Sequence, residues 1–435
     1  MEGQTCMPVK GRMGPYLLFA LLLQTWEDVL DLQQIVRVAI NCSIKKIGRI
    51  LILPIFSVLF YTSCNKSKFD LSTSNEGRFY LKDSLLLKLD SKSSYDFSYF
   101  DLGVIEEKEK LIILNRINSS VDFYNLNSGE LESRFIIQQD GPSQLRDAQG
   151  LLFHNKDSIF VFTSFLRSKF GLFNMNGELK SYFKPKTHSD NLLDQLHNHS
   201  SSPTVPTIFL KGKLFFSQLT LGNPAGNPAF SDSHEPEFVY HLENDSVEQI
   251  SSLKMPLEFR GKTLPVSFTF QSKALNESND FVFSWFGSDS IYVYDSKYNF
   301  KSKHLAKSLL SNGIEKTSLP LSQEDSNRLV LSQTHYPRLI YDPYRQLYYR
   351  FTHIRRTYDP NELIDHKSIH KNPFSIIIFD ENFVKLDEVI FPSKTYNLYQ
   401  AFVAKQGLYL PLTNPFFSKI DENVVKYEIF DFSSF

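Results

Sequence analysis

No cysteine lies beyond Cys64, and the chain holds only three, Cys6, Cys42 and Cys64. The residues that follow therefore carry neither an internal disulfide nor a thiolate metal site. Tryptophan is as scarce, with two residues, and no Ser-x-Asp-x-Gly-x-x-Trp box of the sialidase kind occurs. Neither sign of charge is in excess: 47 Lys and Arg face 48 Asp and Glu, without long blocks of one kind. A surface that tracks phosphates needs a basic excess or stripe, so no nucleic-acid partner is expected. A G-x-S-x-G nucleophile elbow and a phosphate loop are both absent. The apolar run from Ile50 to Phe60 is 11 residues long, too short for a bilayer that takes about 20.

What is present begins with an address. Lys45, Lys46 and Arg49 precede that apolar run, and Tyr61-Thr62-Ser63-Cys64 follow it. A basic stretch, an apolar stretch and small residues before a cut describe a secretory signal peptide over residues 44–64. Small residues just ahead of a cysteine resemble the lipobox of bacterial lipoproteins, which implies a diacylglycerol on Cys64, although Tyr61 stands where an aliphatic residue is usual. The polar stretch 65–77 then reads as a tether. Residues 1–43 fit no signal, and no Met occurs between Met13 and Cys64. They are expected to be a spurious upstream extension, with translation starting at a non-Met codon between about Val36 and Ile44. The expected location is the cell envelope, as an outer-membrane lipoprotein facing the periplasm or the surface. Asn65-Lys66-Ser67 carries no acidic export tag, which favours the periplasm.

From residue 78 onward short β-type runs alternate with turn signals, and a fourfold unit repeats. Residues 150–183 show it best: GLLFHN, a turn at Lys156-Asp157, SIFVFTS, a loop, KFGLFNM, a turn at Asn176-Gly177, and ELKSYF. These are strands A to D, with A–B and C–D joined by tight hairpins. The same order recurs in YFDLGVI to LESRFII, TIFLK to VEQIS, SFTFQS to FKSKHL, and LIYD to VKLDEVIF. A sixth unit has QAFVAK, GLYLPL and VKYEIFDF but no D strand, while RFYLKDSLLLKL at residues 78–89 belongs to no unit. Pairing that run with the sixth unit closes a ring and removes two open edges. The expected fold is all-β, a six-bladed β-propeller over residues 78–435 closed by an N-terminal strand. A seven-bladed ring and two stacked sandwiches are the alternatives. The 39 Phe suit strands and wide interfaces between packed sheets.

The unit DSIFVF…FGLFNMNGELKSYF resembles the repeat of NHL- and TolB-like propellers, and Asp140-Gly141-Pro142 resembles a Gly-Pro box of uncharacterised six-bladed propeller lipoproteins of Bacteroidota. The resemblance spans roughly residues 78–432 and implies fold rather than activity.

In such a ring, B–C and D–A connections share one face. The long ones, near 184–205, 220–236, 252–265, 306–338 and 354–373, would all emerge there, and long loops in a compact domain are commonly functional. Residues expected near that face as ligand contacts are Arg116, Arg146, Trp285, His335, Arg338, Arg350, His353 and Arg355. Converging guanidinium groups suit a carboxylate, sulfate or phosphate. The competing account makes Arg350 the partner of a buried carboxylate in a neighbouring blade. His197 and His199 share a polar loop, and His366 and His370 are four apart, but no third ligand is evident, so neither a metal nor another cofactor is expected. The inner strand ends offer few carboxylates for Ca²⁺. The functional expectation is thus a binding propeller taking a peptide, glycan, anionic group or envelope protein on its long-loop face. The alternative is a hydrolase acting in the central channel.

Overall fold

The structure, a computed structural model, describes residues 80–141, 144–163, 169–184, 199–218 and 222–435. The upstream extension, the signal peptide with Cys64, the tether and His197 lie outside these residues.

Strands B and C of blades one to five are buried along most of their length, which suits a strand covered on both faces. Strands D are half-exposed edges. Blade one consists of β2 (Phe100–Ile105), β3 (Lys108–Asn115), β4 (Ser120–Asn125) and β5 (Leu131–Ile136). Blade two holds β6 (Ala148–Asn155), β7 (Ser158–Thr163), β8 (Phe170–Phe173) and β9 (Leu179–Phe183). Blade three has a split inner strand, β10 (His199–Ser200) and β11 (Ile208–Leu210), then β12 (Lys213–Gln218), β13 (Glu237–His241) and β14 (Ser246–Gln249). Blade four runs β15 (Gln271–Leu275), β16 (Phe281–Trp285), β17 (Ser290–Tyr294) and β18 (Phe300–Leu305). Blade five runs β19 (His335–Asp342), β20 (Leu347–His353), β21 (Phe374–Phe379) and β22 (Lys385–Phe391). Blade six has β23 (Phe402–Ala404), β24 (Gly407–Pro411) and β25 (Val424–Phe430), completed by β1 (Leu81–Lys88).

All six sheets are antiparallel, and β1 takes the outer place of the last, running Leu81↔Phe430 to Lys88↔Val424 against β25. The turns fit this twist. Glu106 and Glu107, and Lys211 and Gly212, all have positive φ, as two-residue hairpins of right-handed twist require.

The core lies between blades, in six apolar clusters, one for each pair of neighbours. The cluster joining blade six to blade one contains Leu87, Leu111, Tyr124 and Tyr427, so the ring is closed. Phenylalanine dominates the interface of blades two and three, where Phe162, Phe170 and Phe216 meet within 6.2 Å. Gly129 guards the closure. Its φ is +72°, and a Cβ there would overlap the Leu86 carbonyl oxygen of β1.

Three details differ from the sequence reading. In blade four the inner strand is Gln271–Leu275, not the SFTFQS run, because Pro265 opens a 3₁₀ turn over Val266–Thr269 that buries Phe268. In blade five the inner strand starts at His335 rather than Leu339. A bulge between His335 and Arg338 accommodates Pro337, which has no N–H for the ladder. The spacing of four between His366 and His370 would align them on an α-helix, but the segment forms one 3₁₀ turn over Ser368–Lys371 that includes His370 and not His366.

Candidate functional site

Strand alternation puts the B–C and D–A ends of the strands at one end of the ring, and among the described residues the long connections between 222 and 373 interlock there. Leu264 N donates to Pro224 O at 3.0 Å and Leu321 N to Ala225 O at 2.8 Å. Thr263 and Thr317 form a bridge. Helix α1 (Gln323–Ser332), capped by the Ser322 hydroxyl, presents Leu331 O to Arg356 N and to Asn372 Nδ2, at 3.2 and 3.1 Å. These connections form a cap knitted by main-chain bonds rather than a set of free loops.

The residues expected to meet a ligand are dispersed by this arrangement. Arg350 is fully buried, with its face 3.7 Å from the Tyr336 ring centre. Its Nε donates to Ser284 Oγ at 2.9 Å, Nη1 to Ala306 O at 2.6 Å, and Nη2 to Ser288 O at 2.6 Å and Ser290 O at 3.3 Å. The partners of Arg350 are thus a hydroxyl and three carbonyls of blade four and not a carboxylate, and all three of its nitrogens are engaged. Trp285 is fully buried beside Phe283 and Tyr292. Arg146 pairs with Asp140 and donates to Gln139 O at 2.7 Å. Arg116 is exposed at a crevice of about 190 Å³ on blade one. Arg355 is exposed at another of about 370 Å³, where its guanidinium meets the Asn312 side-chain oxygen once that amide is oriented to accept.

His335 and His353 are buried side by side, ring centres 5.1 Å apart and planes tilted by 40°. His353 Nε2 lies 2.9 Å from Tyr399 Oη, and its Nδ1 is buried without a partner. His370 abuts the same tyrosine at 5.3 Å. Burial lowers all three imidazoles, His335 and His370 to about 4 and His353 well below its ordinary value. They are neutral packing groups beneath the cap.

Of the eight expected contacts, Arg338 alone lines a cavity on the ring axis. That cavity, about 500 Å³, is bounded by the innermost strands of all six blades, among them Leu102, Leu152, Ile208, Ala274, Leu339 and Val403. It reaches Asn276, Glu277 and Pro343, residues of the A–B turns, and so extends toward the end of the ring opposite the cap. Blade three shapes its other side. Ser200 pairs with Ser217 and Ile208 with Phe215, so residues 201–207 form an excursion from the inner strand. Ser201 bridges to Gly150, where a Cβ would come within 2.9 Å of the serine Cβ. Only glycine admits that approach. Pro203 and Pro206 of the excursion line the cavity.

The polar groups of this cavity differ in how well they are served. Lys273 is fully buried and spent within the wall: its ammonium pairs with Glu237 and donates to Phe215 O at 3.0 Å. Glu237 also accepts from Ser217 Oγ at 2.6 Å, Gln271 Nε2 at 3.1 Å and Tyr298 Oη at 3.0 Å, a network that clamps blade three to blade four. Arg338 is 3% exposed and has no carboxylate partner among the described residues. Its Nη1 donates to Leu398 O and Tyr399 O at 2.9 and 3.1 Å, Nε is buried unpaired, and Nη2 makes no hydrogen bond among the described residues. Burial pushes its guanidinium down to about 9. Asp101, half-buried on β2, accepts from Phe153 N and Leu102 N at 2.7 and 2.8 Å. Enclosure raises its carboxyl to about 6 against those two bonds. Sequence reading passed over Asp101, although a lone carboxylate inside the A strand YFDLGVI was the available signal. Lys273 was missed because the blade-four strand was set too early.

Comparison with known proteins adds the following. The family described as "Domain of unknown function (DUF4221)" matches residues 69–390. No curated protein matches the chain. The crystal structure of a DUF4221 member from Bacteroides vulgatus is similar, with TM-score 0.71 and 20% identity over 81% of this chain and 97% of that one. A Bacteroides fragilis protein is similar at TM-score 0.50 and 11% identity, over 80% of this chain and 95% of that one.

Proposed function

This chain belongs to the DUF4221 family, and from that starting point we propose that it is a binding propeller whose axial cavity takes a small, mainly apolar ligand. The observation that carries this reading is the cavity itself. Its volume of about 500 Å³ falls in the range of small-molecule sites, roughly 300–1,000 Å³. Aliphatic side chains make up much of its wall, and Asp101 and Arg338 are enclosed charges bonded to main-chain groups and without a charged side-chain partner among the described residues. The cap face supports a different role, since its described connections between 222 and 373 bond to one another; we assign it to sealing the ring. Export and a lipid anchor at Cys64 remain part of the proposal and rest on the basic, apolar and small-residue order of residues 45–64. Anchored so, the domain would meet its ligand or a protein partner in the envelope.

A thermal-shift screen of small apolar compounds tests the reading, because a ligand that prefers the folded state raises the melting temperature. Leu102→Trp fills the lumen from β2. Compounds that stabilise the native protein should fail to stabilise this variant. Equal stabilisation of both would place binding elsewhere and overturn the assignment. A fluorescently detected membrane fraction that is lost in Cys64→Ser, with the signal region intact, checks the anchor.

A further inference from the structure

Taking the axial cavity as the binding site, on which this step rests, we propose that its ligand is a short apolar peptide with free termini, the carboxylate meeting Arg338 and the ammonium meeting Asp101. Three observations converge on that class. First, the cavity holds one enclosed cation and one enclosed anion without charged side-chain partners, while its third buried charge, Lys273, is neutralised by Glu237. An enclosed charge lacking a counter-charge is costly, and a ligand of opposite sign relieves that cost. Glu277 also touches the cavity, but it is exposed at a turn, where water screens it.

Second, the two enclosed groups do not neutralise each other. Arg338 lies on blade five and Asp101 on blade one, with blade six between them. A single amino acid carries both charges on one α-carbon. An extended di- or tripeptide separates its termini by about 5–10 Å, at roughly 3.3–3.6 Å per residue, and suits two charges set apart around an axis.

Third, every sheet presents its innermost strand to the axis as an edge. Edge strands carry main-chain donors and acceptors on one side, and an extended peptide is the ligand whose own backbone uses them. Leu102, Leu152, Ile208 and Val403 then receive apolar side chains.

Isothermal titration calorimetry with three compounds decides the matter: leucyl-leucine, its C-terminal amide, and its N-acetyl derivative. The native protein should bind leucyl-leucine and lose at least tenfold in affinity for each blocked form. Arg338→Met should bind leucyl-leucine and its amide equally. Asp101→Asn should do the same for leucyl-leucine and the N-acetyl form, and Arg338→Lys should recover part of the preference for a free carboxylate. If Arg338→Met does not fold, the three titrations of the native protein still decide. Equal affinity for all three would overturn the proposal of paired termini. If none binds while apolar compounds still stabilise the native protein and not Leu102→Trp, the peptide is refuted and the cavity stands. If none binds and Leu102→Trp changes nothing, the cavity reading falls with it.

Discussion

Leu86 and Leu87 are neighbours on β1 with opposite surroundings, and truncating each in turn tests ring closure. Leu87 is fully buried against Tyr427, Val425 and Leu111, between the last blade and the first, whereas Leu86 is 50% exposed. A buried leucine cut to alanine loses its transfer free energy and leaves a cavity, together about 3 kcal/mol, in a range of roughly 2.7–5. An exposed leucine away from such features costs about 0.5 kcal/mol or less. Urea unfolding followed by fluorescence should therefore show Leu87→Ala destabilised by about 3 kcal/mol and Leu86→Ala nearly unchanged. The reasoning depends on register, because a slip of one residue turns every side chain of a strand to its other face. Equal costs for the two variants, or a larger cost for Leu86→Ala, would mean that β1 does not seal the ring as described.

Two further expectations follow from buried polar groups. Replacing Arg350 by Met strips four acceptors of their donor, and at about 1–3 kcal/mol for each buried group left unpaired the unfolding free energy from urea melts should fall by several kcal/mol while affinity for an axial ligand is unchanged; a lost affinity with normal stability would contradict the assignment. The pH dependence has two opposing parts. The folded protein keeps His234, His335, His353 and His370 neutral, with burial holding His234, His335 and His370 at about 4, and the unfolded chain protonates them near 6.5, so stability falls as the pH drops from about 6.5 to 4. Asp101 acts with the other sign: its folded value of about 6 exceeds the unfolded one near 4, so its contribution is present at low pH and is lost as the pH rises through 6. In Asp101→Asn the acid fall should steepen by about 2 kcal/mol, from a shift of roughly two pKa units, read by urea melts at pH 4.5 and 7. An unchanged slope would show that Asp101 is not enclosed.

Much of the ring could be read along the chain because blade strands carry their own signals. The turns Lys156-Asp157 and Asn176-Gly177 bracket strands of the expected lengths, and the orphan run at 78–89 answers the missing outer strand of blade six. Local pattern failed where tertiary packing decides. The 3₁₀ turn at Val266–Thr269 looks like a strand by alternation, yet Pro265 sets its course and the burial of Phe268 holds it. The candidate site was less legible. Position near the long-loop face alone marks Arg338 and Arg350 as equals. Only the ring shows that all three nitrogens of Arg350 bond to blade four while Arg338 stands at the cavity. The cap was expected to be the binding face because its segments are long. Length says nothing about whether their main-chain groups are spent on one another, as those of Leu264, Leu321 and Arg356 are.

Photo-crosslinking separates an axial site from one on the cap. A leucyl dipeptide bearing a diazirine side chain, irradiated with the purified protein and mapped by peptide mass spectrometry, should mark peptides of the innermost strands around Asp101, Leu152, Ala274 and Leu339. Marks confined to the cap, at residues 222–236, 252–265 or 306–334, would contradict an axial site.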